Sequence, residues 1–223
     1  MGDETLKVVC ISDTHRNHIM YDKMPDGDVL IHAGDFTDWG ALTDIVDFSF
    51  WLQELPYKYK VIIAGNHDVK FELYPEMAKA ALANKCEDVI YLNNRTVTID
   101  GVKFFGCPYT PQFAGAFQLR LTPDADKDFW ETLIPDDIDV LITHGPPFGI
   151  MDSVQRWELD VEHCGSQGLL ERVVKIKPKL HVFGHIHESY GIIKQRYGIT
   201  FVNAAALNWR TNNLNKPIVV DLQ

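Results

Sequence analysis

Short apolar runs recur along the chain, and each stops abruptly at a glycine or a polar residue. The clearest are residues 6–12 (LKVVCIS), 29–33 (VLIHA), 60–64 (KVIIA), 139–143 (DVLIT) and 180–183 (LHVF). Runs of this length suit strands buried on both faces and are too short for helices. Helical spacing appears in residues 43–55, with apolar residues at 45, 48, 52 and 55 and Pro56 just beyond. It appears again in 167–177, where Leu169 and Val173, and Leu170 and Val174, are four apart and Pro178 comes next. Residues 75–83 and 126–133 read as shorter helices. Weaker strands cover 89–92, 95–99, 102–106, 190–194, 199–202 and 217–221, and Asp100-Gly101 marks a hairpin between the second and third of these. Residues 16–28 and 149–165 read as loops. Residues 107–121 are aromatic and irregular, and suit either the roof of a pocket or packing on the surface. Strands alternating with helices, plus hairpins, predict an α/β protein with mixed sheets. With no linker and no repeat, residues 1–223 read as one domain.

The residues that end each run are more informative than the runs themselves. The first run ends in Asp13-Thr14-His15, the second in Gly34-Asp35 with Asp38 beyond. The third ends in Gly65-Asn66-His67-Asp68, the fourth in His144-Gly145, the last in Gly184-His185-Ile186-His187. In open α/β folds the carboxyl ends of strands carry the chemistry. Side chains two apart on extended chain face the same way, so Asp13 and His15 can face one ion, and His185 and His187 follow Gly184 at the same spacing. Asp35 has two carboxylate oxygens and can bridge two cations. Taken singly, each motif has an ordinary reading: a turn at Asp13-Thr14-His15, a helix cap at Asp38, a turn at Gly65-Asn66, a structural His144. Five such endings in one chain point to a shared site.

Composition narrows the picture. Of 223 residues, 46% are hydrophobic and 23% charged, as in ordinary globular proteins. The net charge of -10 argues against general affinity for a nucleic-acid backbone. It fits a site whose carboxylates are balanced by bound cations. Cys10, Cys86, Cys107 and Cys164 are scattered and read as reduced thiols of a cytoplasmic protein. Neither an apolar leader nor a long apolar run is present, so no membrane association is expected.

The order Asp-x-His, Gly-Asp-x-x-Asp, Gly-Asn-His-Asp, His-Gly and Gly-His-x-His resembles that of the calcineurin-like metallophosphoesterase superfamily. The stretches DTH, LPYKYKVIIAGNHD, THGPP and KPKLHVFGHIHESYG are similar to the small metallophosphoesterase-domain proteins of the brain-expressed "239" family. The resemblance implies a four-layer α/β/β/α sandwich with two mixed β-sheets. It implies that Asp13, His15, Asp35 and His187 hold one metal ion, and that Asp35, Asn66, His144 and His185 hold a second. Mixed nitrogen and oxygen ligands suit Mn²⁺, with Fe or Zn²⁺ as alternatives, better than Ca²⁺. A water ionised between the two ions would attack phosphorus in line. His67 would protonate the leaving oxygen, its imidazole held by Asp38, and Asn66 and His67 would contact the substrate. The implied activity is hydrolysis of small phosphodiesters, cyclic nucleotides foremost, with Phe36, Trp39, Tyr109 and Phe148 available to stack on a base. A phosphomonoesterase or protein phosphatase, and a non-catalytic scaffold, are the competing readings. Trp39 stands where related protein phosphatases carry a phosphate-gripping Arg, and Arg16 is a candidate substitute. Some relatives have Gly at the position of His185, whereas this chain keeps the ligand. His32 and His181 read as core residues, His18 and His163 as loop residues, with His18 near enough in sequence to support the site.

Overall fold

The computed structural model describes residues 5–157, 160–208, 210–211 and 213–222. Two mixed sheets face each other. The first has the order Ile218–Leu222, Leu6–Ile11, Val29–Ala33, Tyr59–Ile63, Ile90–Tyr91. All its neighbours are parallel except Ile218–Leu222, which runs antiparallel to Leu6–Ile11. The second has the order Gly191–Arg196, Ile199–Asn203, Leu180–Phe183, Val140–Thr143, Val102–Cys107, Arg95–Ile99. Its inner strands are parallel and its two outer pairings antiparallel.

The period of two along each strand divides the side chains between layers. Val8, Cys10, Ile31 and Val61 meet Phe104, Val140, Ile142 and Val182 in a core between the sheets. Val9, Ile11, Leu30 and Ile62 point the other way, against the helices Leu42–Glu54 and Pro75–Leu82. Leu141, Phe183 and Phe201 turn toward the helices Pro123–Leu133 and Gln167–Ile176. The result is the expected α/β/β/α sandwich. Strands covered on both faces account for the unbroken apolar runs in the sequence. Both helices of the second outer layer are capped, by Thr122 Oγ1 and Ser166 Oγ.

The expected hairpin is present, with Asp100 and Gly101 at φ 46° and 83°. Residues 16–28 include a short 3₁₀ turn, Asn17–Met20. Residues 149–165, expected as loop, instead carry an antiparallel ribbon of Ser153–Trp157 and Asp160–His163. The ribbon lies outside both main sheets, so no buried face wrote an apolar run into its sequence. The four cysteines are free thiols, and three of them are buried. No described helix is long and apolar enough to cross a membrane.

Candidate metal centre

The carboxyl ends of both sheets meet at one place. His144, closing Val140–Thr143 of the second sheet, donates from Nδ1 to the Ala33 carbonyl of the first at 2.9 Å. The approach there is close enough to demand glycine. A Cβ on Gly65 would come within 2.3 Å of Asp35 Oδ1, and one on Gly184 within 1.9 Å of Asp13 Oδ2.

All seven sequence-predicted ligands converge. Asp35 Oδ2 lies 3.3 Å from His144 Nε2 and 3.8 Å from His15 Nε2. Asp13 Oδ1 lies 3.3 Å from His187 Nε2. Asn66 commits its amide N–H to the Ala114 carbonyl, which turns Oδ1 to within 2.9 Å of His144 Nε2. Asp13, His15 and His187 offer ligand atoms within 4.8 Å of one another, as do Asp35, His144 and His185. A third such group, His15, Asp35 and His67, joins the two. The main chain sets the imidazoles. Nδ1 of His144, His187 and His67 donates to the carbonyls of Ala33, Leu207 and Asp38, so each ring keeps Nε2 for the cleft. His185 N–H grips both oxygens of Asp13 at 3.0 Å.

The backbone is strained at these residues. Asp13, His15, Asp35 and His185 have φ of 50°, 40°, 56° and 67°. Such left-handed conformations each cost on the order of 1 kcal/mol and persist where the surroundings dictate them, often at functional sites.

Electrostatics follow from packing two carboxylates among imidazoles away from water. Burial opposes ionisation of Asp13, but His187, with His144 and His15, holds its carboxyl far below the usual range. Burial likewise opposes ionisation of Asp35, and His144 and His15 outweigh it, bringing it to about 2. Burial disfavours charge on His144, yet Asp35 and Asp13 push it up to about 10. His185 is drawn down to about 3 by burial and by the neighbouring His144. Two anionic carboxylates thus attract a cation, which in this structure is the proton on His144; a metal ion would displace that proton and leave Nε2 as a neutral donor of borderline character. These residues fit a pair of divalent cations.

Asp68, at the end of the Gly65-Asn66-His67-Asp68 motif, has a role that the sequence did not show. It is fully buried, and its two oxygens accept from Asp35 N and Gly65 N at 2.8 Å, Thr37 N at 3.0 Å and Thr37 Oγ1 at 2.8 Å. It fixes both loops that carry Asp35 and Asn66. The available signal was an acid directly after a strand-end glycine loop, where unpaired backbone N–H groups need an acceptor.

Several expectations need correction. The Asp38 carboxylate does not hold His67. Its main-chain carbonyl does, at 2.5 Å, while the half-exposed carboxylate turns outward to Arg16 at 3.4 Å. Arg16 also pairs with Asp44 at 3.3 Å and faces away from the cleft, so it does not replace the missing Arg. Phe36 is buried in the core, and Tyr109 packs on Phe117, Phe129 and Trp130, so neither is free to stack on a base. Phe148 lies on His163. His18 is buried against Phe48 and Trp51 and does not line the cleft. His32 and His181 are core residues, bonded to Thr14 and Thr143.

Around the centre the cleft encloses about 400 Å³, with His15, Asp35, Asn66 and His67 at its base. Phe113, from the irregular aromatic segment, stands over His185 with ring centres 5.6 Å apart. Val154 and Glu162 of the ribbon, with Glu188, form another wall. Among the described residues, no lysine or arginine lines this cleft.

A cage of this kind suits a metal-dependent hydrolase of phosphoesters, and comparison with known proteins puts the chain in that class. Residues 6–189 match the model of the calcineurin-like phosphoesterases, and the chain belongs to that family. It is 39% identical over 237 residues to human metallophosphoesterase domain-containing protein 1, covering 97% of this chain and 71% of that protein. It is 40% identical over 230 residues to a UPF0046 protein of Caenorhabditis elegans, covering 98% and 76%. Among solved structures, TT1561 of Thermus thermophilus superposes with a TM-score of 0.61 at 15% identity, over 98% of this chain and 100% of that one. Phosphopantetheinyl hydrolase from Mycobacterium tuberculosis gives 0.58 at 16%, over 89% and 88%. At such identities the likeness is one of fold.

Proposed function

We propose that this chain is a dinuclear-metal phosphodiesterase acting on small phosphodiesters, cyclic nucleotides among them, with Mn²⁺ as the working metal. The observation that carries this reading is a complete ligand set at the base of a cleft that, among the described residues, has no basic side chain. A diester carries one negative charge and a monoester close to two at neutral pH. A cleft walled by Glu162 and Glu188, with neither lysine nor arginine, favours the smaller charge.

In this reading Asp13, His15, Asp35 and His187 hold one cation, and Asp35, Asn66, His144 and His185 the other. When bound, the pair supplies Lewis acidity and lowers the pKa of a bound water toward about 7. Asp35 stands between the two sets, its Oδ2 3.3 Å from His144 Nε2 and 3.8 Å from His15 Nε2, and the His67 N–H donates to Oδ1 at 2.8 Å and keeps the carboxylate oriented. His67 carries one proton on Nδ1, bonded to the Asp38 carbonyl. Nε2 is left toward the cleft, the position from which a general acid would hand a proton to the leaving oxygen. Trp39 lies with its ring centre 4.5 Å from that of His67, tilted by 34°, and packs against the imidazole. Proton donation of this sort contributes about 10²–10⁴ in rate. Asn66 and His67 line the cleft, where they would meet the phosphoryl oxygens of a bound substrate.

The test is hydrolysis by Mn²⁺-loaded protein of bis(p-nitrophenyl) phosphate, p-nitrophenyl phosphate, and 2′,3′- and 3′,5′-cyclic nucleotides. The diesters are expected to turn over faster. Faster cleavage of the monoester, or no cleavage of any diester, overturns the reading.

A further inference from the structure

A second concave site lies one residue beyond His15, on the other side of Arg16 from the metal centre. Its volume is about 430 Å³. One wall is the outer face of helix Leu42–Glu54, where Asp47, Phe50, Trp51 and Glu54 fall at i, i+3, i+4 and i+7. The other is the 3₁₀ turn Asn17–Met20, which contributes His18 and Ile19, the latter 75% exposed. His18 lines the groove. Only 2% of its surface remains exposed, and neither ring nitrogen has a partner.

Such an imidazole is uncommon, because buried polar side-chain atoms are almost always hydrogen-bonded. Burial, and then Arg16, lower its pKa to about 4, so the ring is neutral and offers one donor and one acceptor. Trp51 lies beside it, ring centres 5.2 Å apart. Phe50 is 47% exposed and already has Lys85 Nζ 4.9 Å from its ring centre; Trp51 is half-buried, stacked on Phe48 at 5.6 Å, and lines the groove beside His18. The charge on the rim is unbalanced. Arg16 is matched by Asp38 and Asp44. Asp47 and Glu54 are exposed, and no lysine or arginine pairs with them among the described residues.

We propose that this groove is a docking site for an arginine, flanked by apolar residues, in a segment of a partner protein. The complementarity is specific to that side chain. A planar guanidinium stacks on Trp51, donates an N–H to the acceptor nitrogen of His18, and sits between Asp47 and Glu54. The flanking apolar residues cover Ile19 and Phe50, which a small amine would leave in water. The overall charge of -10 draws a basic segment toward the chain. This site does not depend on the phosphodiesterase reading.

The experiment is an NMR titration of the full chain at pH 7 with the acetylated, amidated tripeptide Leu-Arg-Leu, following the Trp51 indole N–H and the amides of Asp47 and Glu54. Saturable shifts are expected there, with none for the same peptide bearing Glu in place of Arg. Reversing both rim charges, Asp47→Lys with Glu54→Lys, is expected to weaken binding about tenfold or more while diester hydrolysis stays unchanged. Both positions are exposed on a helix, so the fold should persist, and circular dichroism checks this. His18→Phe, which keeps the packing and removes the acceptor, should weaken binding as well. No saturable shift, equal binding of the Arg and Glu peptides, or undiminished binding by the charge-reversed chain overturns the site. Phenylethylammonium binding as tightly as the tripeptide overturns the partner segment as its occupant.

Discussion

Replacing Asp68 by Asn should damage both stability and the metal centre, though Asp68 touches no cation. Each Asp68 oxygen accepts two donors. One takes Asp35 N and Gly65 N, the other Thr37 N and Thr37 Oγ1. An amide can present its NH₂ to only one of these pairs: toward Asp35 N and Gly65 N it meets two donors, and toward Thr37 it meets one, because Thr37 Oγ1 can turn to the His67 carbonyl 3.2 Å away and accept from the amide. One or two bonds to a buried acceptor are lost, at about 1.5 kcal/mol each, so about 1.5–3 kcal/mol. For a chain of this size that lowers Tm by roughly 3–12 °C. The loop carrying Asp35, held at φ 56°, loses its anchor. A shift of about 1 Å at the Asp35 carboxylate is expected to cost about 10²-fold in rate. Thermal unfolding by circular dichroism gives the first number, and hydrolysis of bis(p-nitrophenyl) phosphate at saturating Mn²⁺ gives the second. A variant that melts within about 2 °C of the parent and keeps its rate would refute the role given to Asp68.

Two further outcomes are expected. His67→Ala should lower kcat by about 10²–10⁴ while leaving metal content intact, whereas Asp35→Asn should lose both; equal metal loss in the two variants would contradict their separate roles. His181 is buried, and burial lowers its pKa from 6.5 to about 3, so below pH 6.5 the unfolded chain binds a proton that the folded chain refuses. Its stabilising neutral form is therefore fully favoured above pH 6.5 and loses ground as pH falls toward 3. Between pH 7 and pH 5 this costs about 2 kcal/mol. His181→Leu should escape that loss, because Thr143 Oγ1 still donates to the Gly145 carbonyl. Urea unfolding at the two pH values measures it, and an unchanged pH dependence in the variant would count against the assignment.

Strands covered on both faces write themselves into sequence as apolar runs, and the sharp ends at Asp13, Gly34, Gly65, His144 and Gly184 marked where each run delivers chemistry. The candidate ligand side chains were legible at those ends, but the two-apart spacing grouped only Asp13 with His15 correctly: His185 and His187 fall in different clusters, and the chain at Asp13, His15 and His185 is left-handed, not extended. Contacts made by the main chain were not legible. The carbonyl of Asp38 holds His67, and no residue type signals a carbonyl, so the sequence pointed to the carboxylate instead. Asp68 was hidden for the converse reason: its partners are backbone N–H groups of Asp35, Thr37 and Gly65, with the Thr37 hydroxyl the one side chain among them. The ribbon of residues 153–163 packs outside the sheets and left no apolar alternation to read. Phe113 reaches His185 only through the folding of an irregular loop, and spacing along the chain could not place it.

Metal stoichiometry bears most directly on the paired-cation centre. The chain, stripped with chelator and titrated with Mn²⁺ by calorimetry alongside elemental analysis, should take up two ions. His187→Ala and His144→Ala should each bind a single ion, and Asp35→Asn should bind neither tightly. A parent chain that saturates with one ion, or an Asp35→Asn chain that keeps two at undiminished affinity, would contradict the cage built around Asp35.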